Sequence, residues 1–118
     1  MKPKYSLKKN FLYAIDGFFV LFKEIAFRIE VGFFLVFSIF LFIVDIPLWG
    51  KVFLFASLFI PLIAESFNTA IEKTVDLASL EYHLLAKYAK DIAAFGVLLS
   101  VVFTAIVWVG FFIYFGIL

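Results

Sequence analysis

The sequence predicts an all-α integral membrane protein built as an N-terminal amphipathic surface helix followed by three transmembrane helices. Composition is the first observation: 66% of the residues are hydrophobic, against roughly 45–50% in soluble domains, and the mean hydropathy is +1.16. Such a chain is expected to be solvated by lipid. The second is the stretch from Ile92 to Leu118, 27 residues without a charge, where about 20 suffice to cross a hydrocarbon core ~30 Å thick. The third is the distribution of Lys and Arg, which falls almost wholly to one side of the apolar runs.

The chain opens with lysines before an apolar stretch, but Asp16 and Lys23 interrupt that stretch and no small-residue cleavage site follows, so it reads as part of the mature protein rather than a signal peptide. On a helical wheel Phe11, Ile15, Phe18 and Phe22 share one face, while Lys8, Lys9, Asp16 and Lys23 share another. This is the pattern of a helix lying in the membrane interface, over about residues 5–23. A charged knot, KEIAFRIE (23–30), turns the chain into the bilayer. The first span covers about residues 28–45, with Arg28 and Glu30 reaching toward the headgroups. DIPLWGK follows as an outward-facing hairpin with Pro47 and Gly50 as turn residues. The second span covers about 51–72 and contains Pro61, which removes the donor for the Ser57 carbonyl. The third covers about 91–117, and no room remains for a separate domain, so residues 1–118 read as one membrane unit.

Orientation follows from the cations. Lys2, Lys4, Lys8, Lys9, Lys23 and Arg28 precede or open the first span, and Lys73, Lys87 and Lys90 lie between the second and third, leaving only Lys51 on the opposite side. The N-terminus and the 72–91 segment are therefore expected in the cytoplasm. The formal net charge is +1, and no nucleic-acid partner is expected. The chain has no Cys, which excludes disulfide and thiolate chemistry.

The stretch ESFNTAIEKTVD (65–76) carries the chemistry. At ~100° per residue, Glu65, Asn68, Thr69, Glu72 and Asp76 fall within about a quarter turn of one helix face. A charge at the centre of a span costs about 2.5–3.5 kcal/mol on insertion scales, so Glu65 should face a bundle interior or wet cavity. Glu72 and Asp76 also read as headgroup-region carboxylates, solvated or paired with Lys73. A row of hard oxygens suits Mg²⁺, and Mg²⁺ held by one or two carboxylates usually brings substrate phosphates with it. No phosphate-binding Gly-rich loop is present, so any phosphate cradle must come from side chains and helix ends. Glu81, His83, Lys90 and Asp91 follow before the last span, where a solvated His and a snorkelling Lys with an acidic partner are the ordinary alternatives.

Four ordered motifs carry a resemblance. E-x-A-F-R-x-E (Glu24 to Glu30), E-x-x-N-x-x-x-E-x-x-x-D (Glu65 to Asp76), E-Y-H (Glu81 to His83) and A-K-D (Ala89 to Asp91) resemble the prokaryotic diacylglycerol kinase family over roughly residues 13 to 108. The resemblance implies a small homotrimeric kinase of the bacterial inner membrane, with shared active sites on the cytoplasmic side. It implies transfer of the γ-phosphoryl of MgATP to the primary hydroxyl of diacylglycerol, giving phosphatidic acid. By position, Glu65 resembles the general base and Glu24 and Glu72 the Mg²⁺ ligands, while Asn68, Asp76 and Glu30 shape the site. Tyr13, Glu24, Glu72, Glu81, Tyr82, His83, Lys90 and Asp91 match nucleotide-contacting positions. Glu65, Arg28, Ala94 and Trp108 match lipid-contacting ones. Where the family has an Arg near the start of its surface helix, this chain has only Lys8 and Lys9, and Lys does not replace Arg at a bidentate phosphate contact.

Undecaprenol kinases share the acidic motif and differ in acceptor. An oligomeric cation or proton carrier would use Glu65 as an intramembrane proton site, but it would leave Glu24, His83, Lys90 and Asp91 without a role. Association is expected on physical grounds too, because a single chain of this length is expected to have difficulty hiding the polar face from Glu65 to Asp76.

Overall fold

A computed structural model of the chain describes residues 4–118; Lys2, counted above among the cytoplasmic cations, lies outside the described residues. All regular structure among the described residues is helical: α1 (Leu7–Leu21), α2 (Ile25–Ile43), α3 (Leu48–Ser57), α4 (Phe59–Ala78) and α5 (Leu84–Tyr114). Three segments are long and apolar enough to cross a membrane, namely α2, the α3–α4 pair taken together, and α5.

Ser6 starts α1, its hydroxyl accepting from the Lys9 N–H at 3.3 Å, which satisfies one of the orphan donors of the first turn. The helix stops at Leu21, two residues before the predicted end, because Phe22, Lys23 and Glu24 form the turn into α2. No residue of α1 is buried. A groove of about 380 Å³, lined by Gly17, Phe18, Phe27 and Leu62 among others, separates it from α2 and α4. Phe18 bridges part of that gap by meeting Phe27 edge-on at 6.2 Å. Its exposed phenyl face is the surface a membrane interface would cover.

The span boundaries move from their predicted places for local reasons. α2 begins at Ile25, three residues early, since Arg28 and Glu30 sit within its first two turns rather than ahead of it. The connection to α3 is shorter than expected. Pro47 is the N-cap of α3, and Gly50 is a helical position, not a turn residue. A Cβ on Gly50 would lie 2.8 Å from the Phe115 ring. The glycine is there so that α5 can approach, as small residues allow in membrane bundles. α5 begins seven residues early, capped by His83, whose Nδ1 accepts from the Leu85 N–H at 3.1 Å. It closes on Gly116, the one described residue outside the usual φ range (φ 73°). Gly116 N–H donates to Ile113 O at 3.1 Å and Ile117 N–H to Phe112 O at 2.9 Å, the paired bonds of a Schellman end.

The regular hydrogen bonding of the second span is interrupted at Leu58, between α3 and α4, where the backbone keeps helical angles (φ −67°, ψ −20°). The core lies beside that break: Leu41, Ile46, Leu54, Leu58 and Trp108 are buried together, with Leu54 wholly inaccessible. Lipid tails are as apolar as these side chains, so their cohesion comes from close contact rather than from escaping water. Leu54→Ala would open a cavity and destabilise the bundle by about 2–5 kcal/mol. Most of the other large apolar side chains are exposed, as expected of a lipid-facing surface.

Candidate active site

α4 carries its carboxylates along one face, with Glu65 within electrostatic reach of Glu24 at the start of α2 and Asp76 paired with α5. Glu65, Asn68 and Thr69 are buried, at 6%, 8% and 4% exposure, while Glu72 is half-buried and Asp76 exposed. The predicted face is therefore real, and it grades from covered to open along three turns. Thr69 Oγ1 donates to Glu65 Oε1 at 3.5 Å, and Asn68 Nδ2 donates to Glu72 Oε1 at 3.1 Å. Both are i,i+4 contacts, which the helix repeat supplies without outside help. Glu65 is within electrostatic reach of Glu72 and Glu24, and Glu30 is within reach of Glu65. Four carboxylates, two from α4 and two from the start of α2, thus influence one another electrostatically.

Only part of that charge is balanced within the chain. Lys73 Nζ reaches Glu24 Oε1 at 3.2 Å across the helix pair, so it serves Glu24 instead of the nearer-in-sequence Glu72 or Asp76. Lys90 Nζ lies 2.6 Å from Asp76 Oδ1 and ties α5 to α4. Asp91 pairs with Lys87 one turn earlier on α5, so Lys90 and Asp91 have separate partners. Among the described residues two buried side-chain oxygens, Glu30 Oε2 and Asn68 Oδ1, have no hydrogen-bond partner. Such atoms are uncommon, and each calls for a donor or cation beyond those the described residues provide.

The remaining candidates are spread around this cluster. Glu81 and Tyr82 are exposed in the turn before α5, and His83 is committed to its capping bond. Tyr13 is exposed on α1, and Arg28 and Ala94 are exposed on α2 and α5. Trp108 is buried, its Nε1 donating to Ser57 Oγ at 3.0 Å. It borders an apolar cavity of about 310 Å³ between α2, α4 and α5, with Phe33, Phe37 and Leu62 in its walls and Glu30 as its acidic member. Sequence reasoning did not anticipate that Thr69 would hold Glu65 or that Lys73 would hold Glu24. The signal for the first was present, since Thr69 follows Glu65 by four residues. The second depends on how α2 lies against α4.

Among the described residues no three carboxylate or imidazole groups form a ready-made cage for a metal. The donor set is nonetheless hard oxygen only, which fits a cation held by one or two carboxylates and completed by phosphate and water, the usual manner of Mg²⁺.

The family model described as prokaryotic diacylglycerol kinase matches residues 12–112. The chain belongs to the prokaryotic diacylglycerol kinase family. It is 34% identical over 97 residues to the diacylglycerol kinase of Pseudomonas aeruginosa, covering 81% of this chain and 79% of that protein. It is 40% identical over 60 residues to the diacylglycerol kinase of Helicobacter pylori (strain J99), 51% of this chain and 45% of that one. The Escherichia coli (strain K12) diacylglycerol kinase is 36% identical over 64 residues, 54% and 52% of the two chains. The match to the Helicobacter and Escherichia relatives thus spans about half their length. The matched region of the family model begins within α1 and ends within α5, so it includes the whole carboxylate cluster.

Proposed function

We propose that this protein is an ATP-dependent lipid kinase that converts diacylglycerol to phosphatidic acid. The observation that carries the reading is the buried Glu65, held by Thr69 and flanked by Glu24, Glu30 and Glu72 where the covered face of α4 opens. Family membership supports the reaction class, and the apolar cavity next to Glu30 supports an acceptor with acyl chains.

In this reading the primary hydroxyl of the lipid stands beside Glu65. Its oxygen attacks the γ-phosphorus of ATP, forming one O–P bond while the bond from that phosphorus to the β–γ bridging oxygen breaks and ADP leaves. The hydroxyl proton passes to the Glu65 carboxylate and then to water. Glu24 and Glu72 would hold Mg²⁺, which neutralises phosphate charge when bound. Asn68 orients Glu72, and Lys73 orients Glu24, through the bonds described above. Asp76 and Lys90, joined across α4 and α5, line the open end together with Glu81, Tyr82 and His83, on the side from which nucleotide arrives. The excess of Lys and Arg at that end supports a cytoplasmic location for it.

A homotrimer with shared sites is part of the proposal. One chain covers Glu65, Asn68 and Thr69 but leaves Glu72 half-buried and Asp76 exposed, so part of that face stays open. The case rests on the family and on the openness of Glu72 and Asp76. Co-reconstituting inactive Glu65→Gln with inactive Asp91→Asn tests it: restored activity means the two positions serve one site from different chains.

The decisive assay offers short-chain diacylglycerol and undecaprenol side by side to the detergent-solubilised protein with ATP and Mg²⁺. Phosphorylation of diacylglycerol in preference to undecaprenol is expected. Preference for undecaprenol would move the protein to the sister activity, and phosphorylation of neither would remove the kinase reading.

A further inference from the structure

Where α3 meets α4, two backbone carbonyls lose their helical donors, and two hydroxyls take the vacant places. Leu58 N–H donates to Phe55 O at 3.1 Å, an i→i−3 bond, which deprives Leu54 O of its usual partner. Ser57 Oγ donates to that oxygen at 2.7 Å. Pro61 has no N–H, which deprives Ser57 O in turn. Thr104 Oγ1, from α5, lies 3.1 Å from Ser57 O and also 3.1 Å from Ser100 O in its own helix, so its single hydrogen is shared. Trp108 Nε1 completes the group by donating to Ser57 Oγ. Ser57, Thr104 and Trp108 are at most 9% exposed, and in a membrane interior no water would replace these bonds.

We propose that Pro61, Ser57 and Thr104 form a latch that sets the angle between α3 and α4, with Thr104 a positioning residue for Glu65. The inference rests on the phosphoryl transfer proposed above. A proline alone permits a bend without fixing it, whereas an interhelical hydrogen bond to the freed carbonyl selects one arrangement. The break then acts as a pivot. Glu65 lies about 10 Å beyond Leu58 and the end of α4 about 30 Å beyond it. Turning the joint by ~10° displaces them by roughly 2 Å and 5 Å, and a 1 Å misplacement can reduce a reaction ~100-fold. Leu58, Pro61, Thr104 and Trp108 also line the apolar cavity, so the latch shapes its wall while it aims the carboxylate.

The chain has no Cys, so Leu77→Cys and Leu98→Cys take spin labels uniquely. Both side chains are exposed, on α4 and α5. Labelled chains diluted with unlabelled ones report the distance within one chain. Against that background Thr104→Val and Pro61→Ala should each shift the distance by about 2–5 Å on the lever just described. Each should also lower lipid phosphorylation by about 3- to 18-fold, because one interhelical hydrogen bond shifts the balance between the aligned arrangement and the displaced, inactive one by about that factor. Thr104→Ser, which keeps the donor, should restore both readouts. The double variant should be no worse than the stronger single one, because the backbone N–H that Pro61→Ala introduces already occupies Ser57 O. Should Thr104→Val fail to fold, Pro61→Ala carries the same test, since it empties little of the core. An unmoved distance, additive losses, or a Thr104→Ser variant as impaired as Thr104→Val would overturn the latch. If the unmodified protein phosphorylates no lipid, the kinase reading fails and the label distances alone decide the latch.

Discussion

The two ends of the α3–α4 and α5 helix pair are built on opposite terms. At one end Glu24, Glu30, Glu65, Glu72 and Asp76 share Thr69, Asn68, Lys73 and Lys90, and two buried oxygens are left without partners. At the other, Trp49 meets Phe53, Phe111, Tyr114 and Phe115 at ring separations of 5.3–6.4 Å, Gly50 makes room for Phe115, and Gly116 closes the backbone. Trp and Tyr at that level suit a membrane–water interface. The aromatic end completes itself, while the carboxylate end leaves the buried Glu30 Oε2 and Asn68 Oδ1 without donors among the described residues. A buried unsatisfied polar group costs about 1–3 kcal/mol. An end that retains two of them is suited to a ligand that supplies cations and hydrogen bonds.

That contrast predicts activity effects at one end and stability effects at the other. The largest belongs to Glu65→Gln, which keeps the shape and the Thr69 contact but cannot take a proton. Turnover should fall by about 10²–10⁴, the usual contribution of a general base, with the thermal midpoint in detergent little changed. A comparable fall in stability would show that Glu65 is structural. Next come Glu24→Gln and Glu72→Gln. Each should raise the Mg²⁺ concentration needed for half-maximal activity by about tenfold or more, as loss of one of few hard-oxygen ligands requires. An unchanged metal titration in both variants would remove them from the metal site.

The same contrast explains what could be read before the structure. The acidic face was legible because helical period alone aligns Glu65, Asn68, Thr69, Glu72 and Asp76. The three spans were legible from hydropathy, but their ends were not. Arg28, Glu30, Lys87 and Lys90 lower the apolar average without stopping a helix, so α2 and α5 begin earlier than hydropathy suggests. Gly50 looked like a turn beside Pro47, although its requirement is set by Phe115, 65 residues away in the chain. Pro61 announced a freed Ser57 carbonyl, and the missing knowledge was which hydroxyl of α5 would reach it. Lys73 has the same character, since Glu24 becomes its partner only once α2 lies against α4.

At the aromatic end, Gly50→Val should destabilise the protein by about 1–3 kcal/mol through overpacking against Phe115, leaving the specific activity of the folded fraction unchanged. Thermal unfolding beside turnover separates the two quantities. Lost activity at preserved stability would mean that the ends are coupled more tightly than their contacts indicate. The smallest effect is expected at Lys87→Ala. Its partner is Asp91 in an exposed i,i+4 pair, and such pairs contribute only ~0–0.5 kcal/mol. A large change in unfolding would mean that Lys87 does more than hold Asp91.

The central claim is that Glu65 serves the lipid hydroxyl while Glu24 and Glu72 serve the metal and nucleotide. Titrating MgATP into folded Glu65→Gln, beside its rate of diacylglycerol phosphorylation, tests that division most directly. Nucleotide affinity is expected within about twofold of the unmodified protein, as for a group acting on the proton in the transition state, together with almost complete loss of transfer. Lost nucleotide affinity with the chemistry retained would contradict it and place Glu65 among the groups that hold MgATP.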